Sequence, residues 1–158
     1  MAATIFLLGP SFLRSGEKAL LQVRRDLAEI FRAAGHHAFL MEEQDDKKGE
    51  DVIDKFYRLV AENAVSDVVV YWPAEAKMQT TYDEFILLRA RMDALKLPTI
   101  WVLHHASVAT ITEGEFQVNE PGNRSRYLEG VARLGVRPLV WDTEEELREL
   151  ARLLAMEL

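Results

Sequence analysis

The run Asp67-Val68-Val69-Val70-Tyr71-Trp72 limits what this chain can fold into more than any other segment. It is apolar throughout after its first residue, short, and rich in β-branched and aromatic side chains, so it reads as a buried strand. Phe85, Leu88, Met92 and Leu95 follow at helical spacing, and the same alternation of a short apolar run with a helical pattern recurs from end to end. Strand-like runs fall at residues 4–8, 38–40, 67–72, 99–103 and 138–141. Helical periodicity covers 16–34 on Leu20, Val23, Leu27, Ile30 and Phe31, with Gly35 as its natural stop. It returns at 50–63, at 81–95, at 124–134, and after Thr143-Glu144-Glu145-Glu146, which has the form of a capping box.

Five such units imply an α/β three-layer sandwich, a five-stranded parallel sheet with helices on both faces. A chain of 158 residues suits one domain over its whole length, 1–158. The expected strand order is the flavodoxin-like 2-1-3-4-5. Strands 1 and 3 are then neighbours, and the winding of the chain reverses between their carboxyl ends, where open α/β sheets bind ligands. The loops after Leu8 and after Trp72 face each other across that crevice. Residues 104–123 read as one long irregular segment, of the kind that serves as lid, binding loop or interface arm.

Composition narrows function by exclusion. With 19 basic and 26 acidic residues the net charge is −7, and the basic residues are scattered, so no nucleic-acid partner is expected. The absence of cysteine removes disulfides, thiolate metal sites and a thiol nucleophile. The amino terminus enters a strand-like run without a signal-peptide pattern, and no apolar run approaches the roughly 20 residues of a membrane span. A cytoplasmic protein with no membrane partner is expected. His36-His37 and His104-His105 offer at most one ligand each, because adjacent residues in or beside strands face opposite sides, and no acid sits at a metal-ligand spacing. No metal site is expected.

Two segments flank the expected crevice. In Gly9-Pro10-Ser11-Phe12-Leu13-Arg14-Ser15-Gly16, Gly9 permits close backbone approach, and Ser11, Arg14 and Ser15 can hold a polar or phosphorylated group. The loop is neither a Walker loop nor G-x-G-x-x-G, and an ordinary turn with a serine cap fits it equally. Thr80-Thr81-Tyr82-Asp83-Glu84 places a carboxylate in the first turn of the helix after the third strand. Glu84 can serve there as nucleophile or base, although acidic residues also favour first turns through the helix dipole. Tyr71 and Trp72 are candidate pocket-liners, whereas Trp101 and Trp141 read as core. Residues 42–48 form a charged loop, solvated or walling the crevice.

These segments resemble the nucleoside 2-deoxyribosyltransferase superfamily, which includes deoxynucleoside 5′-monophosphate N-glycosidases. Residues 4–12 look like its opening strand and substrate loop, and residues 66–84 look like its Asp-bearing strand followed by G-T-x-x-E. The resemblance implies that Glu84 is the catalytic nucleophile, attacking C1′ of the sugar to form a glycosyl-enzyme ester that a second base or water resolves. It implies substrate contacts from Gly9, Ser11, Phe12, Arg14, Tyr71, Trp72, Thr80 and Thr81. It also implies a polar arm at Asn119 and Asn123 reaching a neighbouring subunit's site, hence a homodimer or higher homo-oligomer, a nucleoside or nucleotide substrate, and no cofactor. Thr80 stands at the motif glycine, Ile86 at a later glycine, and Phe6 where many members carry a tyrosine that hydrogen-bonds the glutamate. Two further readings stay open: an NAD-cleaving domain like the Toll/interleukin-receptor type, and a non-catalytic nucleotide-binding or oligomerising module.

Overall fold

A computed structural model describes residues 2–9, 17–73, 97–109 and 137–158. Its strands are β1 (Thr4–Leu8), β2 (His37–Leu40), β3 (Asp67–Trp72), β4 (Thr99–His105) and β5 (Arg137–Trp141). Its helices are α1 (Glu17–Ala33), α2 (Val52–Glu62), the single turn α3 (Ala106–Ala109) and α4 (Glu144–Glu157), with a 3-10 turn at Met41–Glu43. All five strands join one sheet in the order β2-β1-β3-β4-β5, every pairing parallel. This is the expected flavodoxin-like α/β architecture.

The topology follows from the handedness of parallel crossovers. The chain steps from β1 to β2 on one side, then returns across β1 to reach β3. Right-handed crossovers in opposite directions place their helices on opposite faces. Accordingly Leu27 and Phe31 of α1 pack with Ile5, Leu7, Val69 and Tyr71, a core shared with Leu147, Ala151 and Leu154 of α4. Phe56, Leu59 and Val60 of α2 pack with Phe6, Leu8, Val68, Val70 and Trp72 on the other face. The period of two along each strand divides the cores, and β3, with apolar residues on both faces, is buried at every position. Phe6 meets Phe39 and Phe56 edge to face at centroid distances of 4.7 and 5.4 Å. The phenyl ring at this position is therefore core packing.

Local chemistry sets the helix ends. Asp51 caps α2 by accepting from Asp54 N–H at 2.8 Å. Thr143 caps α4 by accepting from Glu146 N–H at 3.2 Å, and the Glu146 carboxylate turns back to Asp142 N–H, one residue before the cap. Past α1, Gly35 takes φ +94°. Its N–H then donates to Arg32 O and that of His36 to Phe31 O, closing the last carbonyls of the helix.

β4 runs two residues beyond the expected 99–103. His104 pairs with Trp72 and His105 with Trp141, so the ladder on both sides carries the strand into what reads from sequence as an irregular segment. Residues 110–123 and the helices expected at 81–95 and 124–134 lie outside the described residues. Among the described residues no helix is long and apolar enough to cross a membrane.

His36 joins three elements at the amino edge of the sheet. Its Nδ1 accepts from Ala3 N–H at 3.0 Å, so Nε2 carries the proton and donates to Ala155 O at 2.7 Å. Replacing His36 with alanine removes both bonds and strands a donor and an acceptor. His36→Ala is expected to lower unfolding free energy by about 1–3 kcal/mol in urea titrations. His37→Ala, at the neighbouring exposed position, should stay within about 0.5 kcal/mol.

Candidate functional site

The carboxyl edges of β1 and β3 meet where the order reverses. Leu8 pairs with Val70, so Gly9 emerges beside Tyr71. Across this end of β1 lies Arg24 of α1, whose side chain is 1% exposed. A Cβ on Gly9 would stand 2.6 Å from Arg24 Cδ, 2.9 Å from its Nε and 3.2 Å from the Tyr71 carbonyl oxygen. No side chain other than hydrogen fits between them.

The guanidinium continues over the edge to Glu42, in the 3-10 turn that follows β2. Arg24 Nη1 donates to Glu42 Oε1 at 3.2 Å, and Nη2 pairs with Oε2. This two-pronged ion pair ties α1 to the turn after β2 and brings a positive charge to the carboxyl edge of the sheet. A guanidinium so enclosed costs several kcal/mol to desolvate, and its carboxylate partner offsets that cost.

Tyr71 and Trp72 occupy opposite faces of β3. The Tyr71 ring stacks on Trp141 at 5.9 Å and 25°, on the α1/α4 side. Burial pushes its phenol up to about 12; the Glu144 carboxylate adds to this and Arg24 opposes it. The group is thus a neutral phenol at physiological pH. Trp72 belongs to the α2-side core, with Nε1 buried and without a hydrogen-bond partner among the described residues. Its register neighbour His104 is also buried, and desolvation holds that imidazole below its usual range, so it is neutral at pH 7.

The remaining histidine at this edge is committed to the backbone. His105 Nδ1 accepts from Ser107 N–H at 3.1 Å, which leaves Nε2–H to donate to Asp142 O at 3.1 Å. Its ring stands edge-on to Trp141 at 4.9 Å, and Trp141 Nε1–H donates to Leu103 O. Trp101 lies at the opposite edge, donating to Asp67 Oδ1 at 3.1 Å under the Arg137 guanidinium. The charged loop after β2 is tied to α2: buried Lys55 donates to Gln44 O and Asp46, and Arg58 grips Glu50 through Nε and Nη2. Arg58 holds the Glu50 carboxyl below its usual range.

Of the residues expected to contact substrate, Gly9, Tyr71 and Trp72 are described, and the strand order gathers them at one edge. Ser11, Phe12, Arg14, Thr80, Thr81, Glu84, Asn119 and Asn123 lie outside the described residues. Sequence reading overlooked Arg24. The signal was present: Leu20, Arg24, Leu27 and Phe31 recur at helical spacing, so a charge stands inside the buried stripe of α1. Glu42, read only as part of a charged loop, is its partner.

No family model matches the chain, and no curated protein does. Among solved structures, a conserved protein from Enterococcus faecalis V583 is similar at a TM-score of 0.55 and 12% identity, over 97% of this chain and 99% of that one. The azoreductase AzrA gives a TM-score of 0.49 at 10% identity, over 98% of each chain. The first likeness, at such identity, is one of fold alone.

Gly9→Ala tests the close approach at the crevice. The new methyl meets a backbone oxygen on one side and a buried, ion-paired side chain on the other, so neither yields cheaply. A loss of about 1–3 kcal/mol in denaturant-induced unfolding is expected.

Proposed function

We propose that this protein cleaves or transfers the N-glycosidic bond of a (deoxy)nucleoside or nucleotide, with Glu84 as nucleophile. One observation carries the reading. Strands β1 and β3 are direct parallel neighbours in a 2-1-3-4-5 sheet, which sets Gly9 and Trp72, from which two motif-like segments continue, at a common edge. These are the segments whose residues resemble the substrate loop and the glutamate motif of the deoxyribosyltransferase superfamily. Open α/β sheets take ligands at such an edge, where the strand order reverses.

In this chemistry a Glu84 carboxylate oxygen attacks C1′ as the C1′–N bond breaks, and the bond's electron pair leaves on the base. The base takes a proton or a hydrogen bond as it departs. Water or a second base then attacks C1′, freeing the carboxylate and completing two displacements at one carbon. Transferase and hydrolase differ only in which acceptor reaches the intermediate. A homo-oligomer, with the polar segment around Asn123 reaching a neighbouring site, and a cytoplasmic setting belong to the same proposal.

The test incubates the protein with pooled deoxynucleosides, deoxynucleoside monophosphates and NAD, with and without free adenine, and follows base release by chromatography. Base release or exchange is expected, falling by roughly a thousandfold or more in Glu84→Ala. Exchange dependent on adenine marks a transferase. Release of nicotinamide alone would replace the proposal with the NAD-cleaving reading, and no turnover on any substrate would leave a binding module.

A further inference from the structure

At the carboxyl ends of β4 and β5, three side chains with no part in the glycosidic reading stand in a row. His105 ends β4, Ser107 lies two residues on in α3, and Asp142 follows β5. The ladder sets His105 beside Trp141, so Asp142 emerges next to the imidazole. Because His105 Nδ1 accepts from Ser107 N–H, that nitrogen carries no proton. The Ser107 hydroxyl, with Oγ 2.8 Å from the same Nδ1, is therefore the donor in their contact. Across the ring Nε2–H donates to Asp142 O, and the Asp142 carboxylate lies 3.6 Å from the same nitrogen. A hydroxyl held on a base, with the base oriented by a third group, is the arrangement of an activated nucleophile.

We propose that Ser107 is a nucleophile for acyl transfer from a carboxylic ester, with His105 as its general base and Asp142 as partner of the imidazolium. Ser107 Oγ attacks the carbonyl carbon while its proton passes to Nδ1. The C–O bond to the alcohol then breaks, and the alcohol takes that proton as it leaves. Water gives a proton to Nδ1 as it attacks the acyl carbon, and Oγ departs with the proton, releasing a carboxylic acid. Between these transfers the imidazolium faces the Asp142 carboxylate. Protonation displaces Ser107 N–H from Nδ1, and attraction to Asp142 offsets part of that loss. His105 and Ser107 are both partly exposed, as groups that meet an outside substrate must be. The proton path is complete whatever else Ser107 touches. No step involves Glu84, so the site stands apart from the glycosidic reading.

The experiment incubates the full chain with an alkyl fluorophosphonate and locates the label by peptide mass spectrometry. An Oγ–P bond forms as P–F breaks, fluoride leaves, and the proton goes to His105. One label per chain is expected on the peptide carrying Ser107, and none there in Ser107→Ala. With p-nitrophenyl acetate the same peptide should carry an acetyl group. The labelling rate should fall about a hundredfold in His105→Gln, which removes the base. Asp142→Asn keeps the backbone carbonyl that holds the ring, and so serves if the histidine variant does not fold. Its rate should fall about threefold, a small effect because the lost charge is 69% exposed. An unlabelled wild type, label or acetyl group only on other residues, or an undiminished rate in a folded variant would each overturn the proposal. Base release from nucleosides bears only on the glycosidic reading.

Discussion

The pairing of β1 with β2 on one side and β3 on the other is the constraint from which the rest of the molecule follows. It forces the chain to wind outward once and then back, which puts α1 and α2 on opposite faces and gives the sheet two cores instead of one. It also leaves the carboxyl ends of β1 and β3 side by side at the reversal of strand order, where parallel sheets take ligands. Without that pairing, Gly9 and Tyr71 would not be neighbours.

Against this scaffold the Arg24–Glu42 pair is a local departure from the rule that governs the cores. Elsewhere on α1 the buried stripe is apolar and gains from leaving water; Arg24 loses by it, and the Glu42 carboxylate offsets part of that loss. The tight fit explains why a glycine ends β1: the residue is required by the arginine beside it, whatever else approaches from the crevice.

Most of the fold was legible because it rests on periodicities that sequence displays directly. The run 67–72 could only be a doubly buried strand, and Gly35, Asp51 and Thr143 end or begin helices through chemistry readable from residue type. The extension of β4 through His104 and His105 was not legible, since two histidines carry no strand signal and are held there by the ladders on either side. The candidate site was legible in position but not in chemistry. Gly9 follows from the turn and Tyr71 from the strand, whereas Arg24 meets Glu42 across 18 residues of sequence, through tertiary packing that no local pattern encodes.

The chemistry proposed for the crevice turns on one covalent bond, between a sugar C1′ and the carboxylate of Glu84. The most direct measurement is intact-protein and peptide mass spectrometry after incubation with a 2′-fluoro-2′-deoxynucleoside. Its electron-withdrawing fluorine slows breakdown of a glycosyl ester more than it hinders detection. The expected result is an adduct of one fluorinated sugar on the peptide carrying Glu84, absent in Glu84→Ala. Base release with no adduct, or an adduct on another carboxylate, would contradict it.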